Sequence, residues 1–211
     1  MTAEVLCSLE AVEKGYEAGG YRLGPLTMEI CAGEVLGLRG PNGAGKSTLL
    51  QLLAGTLAPD RGRLTRPAGP VGYVPQEIAL YETMSCRDNL LFWGAVYGLP
   101  RRQARVRARW LLEKLELADK AGARAADCSG GMRRRLHLAS GLMGSPRLLL
   151  LDEPTVGADA RSAELILSAL EHQRRQGRTV VLVTHQAGEL ERVCDRILEL
   201  EDGRLRGEAR R

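Results

Sequence analysis

The chain has 211 residues, of which 44% are hydrophobic and 27% charged. This excludes a disordered chain and two large domains, and predicts one larger domain or two small ones. Its net charge of +4, from 30 cations against 26 carboxylates, is too mild and too evenly spread to be a nucleic-acid footprint.

The N-terminus, Met1-Thr2-Ala3-Glu4, lacks the basic flank and apolar run of an export signal, so a cytosolic protein is expected. The best candidate for a bilayer span, Leu136 to Leu151, is interrupted by Pro146 and Arg147, so none is predicted. Five cysteines (Cys7, Cys31, Cys86, Cys128 and Cys194) never form a CxxC pair. They predict reduced, mostly buried thiols rather than disulfides or a zinc site.

In chain order, the first strong signal is Val35-Leu36-Gly37-Leu38-Arg39, a short apolar strand. Gly40-Pro41-Asn42-Gly43-Ala44-Gly45-Lys46-Ser47-Thr48 follows it, and then a helix through Leu49 to Ala54. The spacing Gly40-x4-Gly45-Lys46-Ser47 is that of a phosphate-binding loop, which arises by accident on the order of once in a hundred chains of this length. Glycines let backbone N–H groups close on an anion, and the helix beginning near Lys46 aims its positive end at the same point. Lys46 is a point charge for the outer phosphates, and the Ser47 hydroxyl is a ligand for Mg²⁺.

Further along, Pro100 opens a predicted helix over Arg101 to Leu117, with Val106, Trp110, Leu111 and Leu115 at packing intervals and Trp110 in the core. Five arginines between Arg101 and Arg109 are expected on a solvated face. Ser129 is a good N-cap, and Gly130-Gly131 expose backbone N–H groups at the start of a helix running to about Leu142. Arg133, Arg134 and Arg135 crowd the positive end of that helix. They read as a solvated basic face, with compensation by a phosphate from another molecule as the alternative. His137 and His172 lack a ligand constellation and read as surface or structural.

Leu148-Leu149-Leu150-Leu151 ends in Asp152-Glu153-Pro154, as expected of a central parallel strand buried on both faces. Strand alternation sends Asp152 and Glu153 to opposite faces, so one can hold magnesium while the other faces an attacking water. Both motifs lie beyond strand carboxyl ends, where open α/β sheets bind ligands.

With these motifs in place, the chain from about Leu6 to Arg206 resembles the ATP-binding subunit of an ABC transporter. Cys128-Ser129-Gly130-Gly131-Met132 is similar to that family's LSGGQ/LSGGM signature, with Cys128 in place of the usual leucine. Gln76 after Val71-Gly72-Tyr73-Val74-Pro75 matches its Q-loop, Gly157-Ala158-Asp159 its D-loop, and His185 after Val180 to Thr184 its switch histidine.

The resemblance implies an α/β P-loop NTPase fold of the ABC type over residues 1–211, with a parallel core sheet. It also implies a helical subdomain at about 78–143 and an antiparallel β-subdomain, here trimmed between Gly62 and Gly72. ATP and Mg²⁺ are the implied cofactors. Asn42, Gly43, Gly45, Lys46, Ser47 and Thr48 would bind nucleotide, with Tyr16 stacked on adenine and Tyr21 the competing choice. Ser47, Gln76 and Asp152 would hold the metal. Glu153 would be the catalytic base, assisted by His185, Gln76 and Lys46.

Each ATP in that family is sandwiched between the loop of one cassette and Ser129, Gly130 and Gly131 of another, so a second cassette, as a homodimer, is an implied partner. Integral membrane transporter subunits are the other, holding the chain at the inner face of the cell membrane, with export as the direction of transport. The rival reading is a soluble ABC-class ATPase acting on nucleic acid or the ribosome. It is disfavoured because such proteins usually carry tandem cassettes or coiled-coil insertions.

Overall fold

The computed structural model describes residues 4–16 and 22–210. Tyr21, the second candidate for adenine stacking, lies outside them. In chain order the elements begin β1 (Val5–Gly15), β2 (Arg22–Cys31), β3 (Val35–Arg39), α1 (Lys46–Ala54), β4 (Arg61–Thr65) and β5 (Val71–Val74). A helical stretch follows: α2 (Cys86–Val96), α3 (Arg101–Lys114) and α4 (Gly130–Leu142). The chain continues with β6 (Leu148–Asp152), α5 (Ala160–Arg175), β7 (Thr179–Val183), α6 (Ala187–Val193), β8 (Arg196–Glu201) and β9 (Arg204–Arg210).

The larger sheet has the order β5-β6-β7-β3-β8-β9. Its pairs are parallel except β8 with β9, which is antiparallel. A smaller antiparallel sheet, β2-β1-β4, is the expected β-subdomain. The leucine run behaves as a strand covered on both faces: Leu148 and Leu150 pack with α1 and the small sheet, Leu149 and Leu151 with the helical side. Val181 and Val183 of β7 repeat the first choice, Val180 and Leu182 the second. Period-2 alternation between two cores removes the polar face an exposed strand would show.

Side-chain caps begin three of the helices. Ser85 accepts from Asp88 N at 3.0 Å for α2, Ser129 from Met132 N at 3.3 Å for α4, and Asp159 from Ser162 N at 2.9 Å for α5. The expectation for α3 needs correction at three points. The helix ends at Lys114 rather than Leu117, because Glu116 turns into the left-handed region at φ 52°. Buried Arg135 then takes up the freed carbonyls of Leu115 and Glu116 through Nη1, at 2.5 and 3.0 Å. Val106 is 67% exposed, off the packed face. Trp110 is only half-buried, lying under the Arg107 guanidinium at 4.7 Å from its ring centre and beside His172.

Arg107 is thus no solvated cation; its Nη2 also donates to Leu142 O at 3.0 Å. All five cysteines are free thiols, four of them buried. Among the described residues, no helix is long and apolar enough to cross a membrane.

Candidate functional site

β3 lies between β7 and β8 and so delivers the glycine loop at the middle of the sheet's carboxyl edge. Gly40 has φ 154°, and a Cβ there would lie 1.9 Å from Leu200 O, so no side chain fits. Gly43, at φ 80°, faces open space with nothing within 4 Å. Gly45 adopts φ 102° and begins α1 without any side-chain cap, which leaves the positive end of the helix available to an anion. Lys46 is buried, and its Nζ donates to Gly40 O at 2.8 Å and Pro41 O at 2.9 Å. Burial lowers its pKa below the ordinary lysine value, opposed by the charges of Glu153 and Asp152.

β6 ends at Asp152, and Glu153 immediately enters the left-handed region at φ 50°. For a non-glycine residue that conformation stores on the order of 1–3 kcal/mol. Its N–H is held by Val183 O at 2.9 Å. The turn breaks the alternation the sequence implies: Asp152 and Glu153, both only 3% exposed, line the same cavity.

Both carboxylate oxygens of Glu153 are buried, and no well-formed hydrogen bond reaches either, although the His185 backbone lies close enough to favour the charged form. His185 Nε2 is 3.3 Å from Oε1, outside hydrogen-bond geometry. Burial raises the Glu153 pKa above the ordinary glutamate value, while His185 acts to lower it. Such an unpaired buried carboxylate marks a functional site.

One open cavity of about 620 Å³ is lined by Asn42, Gly43, Gly45, Lys46, Ser47, Thr48, Gln76, Asp152, Glu153 and His185. Tyr16 stands nearby, 40% exposed, with its hydroxyl 3.5 Å from Thr48 Oγ1. Ser129, Gly130 and Gly131 are not among the lining residues. Ser129 and Gly130 are exposed at the start of α4, whereas Gly131 is buried. A Cβ at Gly131 would lie 2.2 Å from Asp159 Oδ2 and 2.4 Å from Ser162 Oγ. That glycine therefore permits close packing of α4 on the start of α5 rather than opening an amide to solvent.

The three arginines of α4 also differ from the solvated face expected of them. Arg133 pairs with Glu82 at 2.6 Å, Arg134 Nη1 donates to Gln76 O at 2.5 Å, and Arg135 caps the carbonyls just past the end of α3. One turn on, His137 Nε2 accepts from Ala79 N at 3.3 Å. His137 is structural, 2% exposed, with a pKa pushed down to about 4 by burial and by Arg134. Three side chains of α4 thereby hold the irregular segment 76–82.

The sequence gives no local signal for Glu189, which follows His185 and resembles a surface acid in a helix's first turn. It is buried, and its Oε2 accepts from Thr155 Oγ1 at 3.0 Å and Thr184 Oγ1 at 2.9 Å. The bonds join the loop after β6 to the one after β7, beside Glu153 and His185.

Residues 23–156 match the family described as ABC transporter. The linearmycin resistance ATP-binding protein LnrL of Bacillus subtilis (strain 168) is 39% identical over 191 residues, covering 85% of this chain and 61% of that protein. The Nod factor export ATP-binding protein I of Rhizobium sp. (strain N33) is 42% identical over 190 residues, covering 85% and 62%. The chain thus spans about three fifths of the length of these two relatives.

A solved dimeric ATP-binding cassette, in a post-hydrolysis state bound to ADP and Pi, superposes with a TM-score of 0.89 at 25% identity. The match covers 97% of this chain and 98% of that one. An ATP-binding subunit of an ABC transporter gives 0.87 at 27% identity, covering 97% and 90%. A phosphate loop, acidic strand end, glutamine and histidine around one cavity, on this fold and with these relatives, place the chain in the ABC transporter family.

Proposed function

We propose that this chain is the ATP-binding and ATP-hydrolysing subunit of an ABC transporter, energising export through separate membrane subunits at the inner face of the cell membrane. Residues 1–211 are then one ABC ATP-binding domain with its helical subdomain at about 78–143. The carrying observation is that ten residues singled out from the sequence line one cavity. Relatives described as export and resistance ATP-binding proteins support the direction of transport.

The donor set of the cavity fits Mg²⁺. Asp152 is a buried carboxylate that forms no ion pair among the described residues, and the Ser47 hydroxyl and Gln76 line the same space. No three His, Cys, Asp or Glu side chains form a metal cage among the described residues. This suits an ion that completes its shell with phosphate oxygens and water. When bound, the metal would neutralise charge developing on the phosphates.

The loop amides and Lys46 would grip the β- and γ-phosphates, with Lys46 leaving the carbonyls of Gly40 and Pro41. Glu153, unpaired and raised in pKa, would accept the proton of the attacking water. His185 would bind the γ-phosphate, Gln76 would report its presence, and Tyr16 would stack on adenine.

Because Ser129 and Gly130 lie outside this cavity, their exposed helix start is assigned to the ATP of a second copy. Nucleotide bound only in the paired state stabilises the pair by about 2.7 kcal/mol per site at a hundredfold excess over Kd, roughly 5 kcal/mol for two sites. Gel filtration of Glu153→Gln with ATP tests the proposal. The variant should run at twice the monomer mass, and adding Ser129→Glu should return it to the monomer. Equal dimerisation by the double variant would overturn the shared site.

A further inference from the structure

Cys128 occupies the position where resembling signatures carry leucine, and its neighbour is another thiol. Cys86, in the first turn of α2, lies with Sγ 3.5 Å from Cys128 Sγ. Cys86 is fully buried and Cys128 is 8% exposed. The two are 42 positions apart in sequence, yet their backbones are stitched together. Cys86 N donates to Ala123 O at 2.9 Å and Arg87 N to Ala121 O at 3.0 Å, while Ala125 N donates to Met84 O at 2.9 Å. A short antiparallel backbone ladder thus holds the segments that carry the two thiols side by side.

We propose that Cys86 and Cys128 are a modification site: an intramolecular disulfide forms between them with a hydroperoxide as oxidant and displaces Ser129. In the first step Cys128 sulfur, the one with residual exposure, attacks a peroxide oxygen. The O–O bond breaks, leaving a sulfenic acid and one water when the oxidant is hydrogen peroxide. Cys86 sulfur then attacks Cys128 sulfur, the S–O bond breaks, the S–S bond forms and a second water leaves. The two thiol protons end in the waters, and two electrons pass from the sulfurs to the peroxide. Burial holds the Cys86 thiol up at about 12, which slows its attack on the sulfenic acid.

A disulfide requires sulfurs about 2.05 Å apart, so closure draws them together by about 1.5 Å. Ser129 is the next residue and shares that movement. The consequence for hydrolysis rests on the two-cassette reading above. A misplacement of about 1 Å at a reaction centre costs on the order of 10²-fold, so hydrolysis should fall about tenfold to a hundredfold and recover with dithiothreitol.

The test is to treat the full chain with hydrogen peroxide, alkylate it and map its peptides without reduction. A Cys86–Cys128 linked peptide is expected, with free thiols under denaturant falling from five to three, the starting five being the chain's total. Cys86→Ala, or Cys86→Val should the first fold poorly, should keep its basal hydrolysis and withstand the same treatment. Absence of the linked peptide overturns the site, and equal peroxide sensitivity of the Cys86 variants overturns the disulfide as cause. A linked peptide with undiminished hydrolysis overturns the switch if Ser129→Glu still abolishes hydrolysis. If Ser129→Glu is also fully active, the disulfide stands and the two-cassette reading fails.

Discussion

Gly131→Ala offers a measurement that follows from packing alone. The new methyl would lie 2.2 Å from Asp159 Oδ2, 2.4 Å from Ser162 Oγ and 3.0 Å from Ser162 Cβ. Asp159 cannot swing away cheaply, because its carboxylate holds both Ser162 N at 2.9 Å and Ser162 Oγ at 2.8 Å. Forcing a methyl into filled space costs about 1–3 kcal/mol.

Alanine also raises helix propensity over glycine, by up to about 1 kcal/mol, so the comparison must cancel that gain. Gly130→Ala does so: it is one residue earlier in α4, and its methyl would meet only Gly157 O at 3.7 Å, an ordinary contact. The difference between the two variants isolates the clash. At about 2–4 °C per kcal/mol for a chain of this size, Gly131→Ala should melt roughly 2–12 °C below Gly130→Ala in thermal unfolding followed by circular dichroism. ATP binding to the isolated monomer, followed with a fluorescent nucleotide, should be equal in the two. Equal melting temperatures would refute the close packing of α4 on α5 and the role given to Gly131.

Other outcomes follow from the site. Glu153→Gln should retain ATP and slow phosphate release by about 10² to 10⁴, the usual worth of a general base; an unchanged rate removes Glu153 from that role. Because folding raises the Glu153 pKa, ionisation penalises the folded state at neutral pH. The same variant should therefore melt higher than the native protein at pH 7, with the gap closing as pH falls toward the ordinary glutamate value of 4.5, a trend that pH-resolved melting would reveal or deny.

His137 is shifted the other way, from 6.5 to about 4. The unfolded chain takes up its proton first, so stability should drain away as pH drops from 6.5 to about 4, and His137→Gln should flatten that slope in acid titrations of denaturant midpoints. Glu189→Ala strands the hydroxyls of Thr155 and Thr184, a loss of about 1–3 kcal/mol. It should lower kcat at least tenfold with little change in KM for ATP; a change in KM alone would contradict a positioning role.

Features that depend on neighbours in sequence are legible without coordinates. The glycine loop, the leucine strand and the α4 span from Gly130 to Leu142 all fall where pattern and capping put them. Contacts set by distant residues are not. Nothing near Arg135 announces that it will take up the carbonyls past the end of α3, and nothing near Glu189 announces two threonine donors. Strand alternation sends the Asp152 and Glu153 side chains to opposite faces, and only the left-handed turn at Glu153 brings them to one cavity. For α3, spacing marks Val106 as packed, yet the neighbouring helices cover a different stripe of that helix.

Segment 76–82 has no regular secondary structure, and yet it is not free to wander. Its anchors on α4, at positions 133, 134 and 137, lie only about 6–12 Å along the axis from Ser129 at 1.5 Å per residue. A push delivered to that irregular stretch from outside would reach the serine through two turns of stiff rod, like a rocker arm, with little lost to bending. Severing the anchors one at a time should loosen that linkage by degrees while leaving the phosphate cradle itself undisturbed.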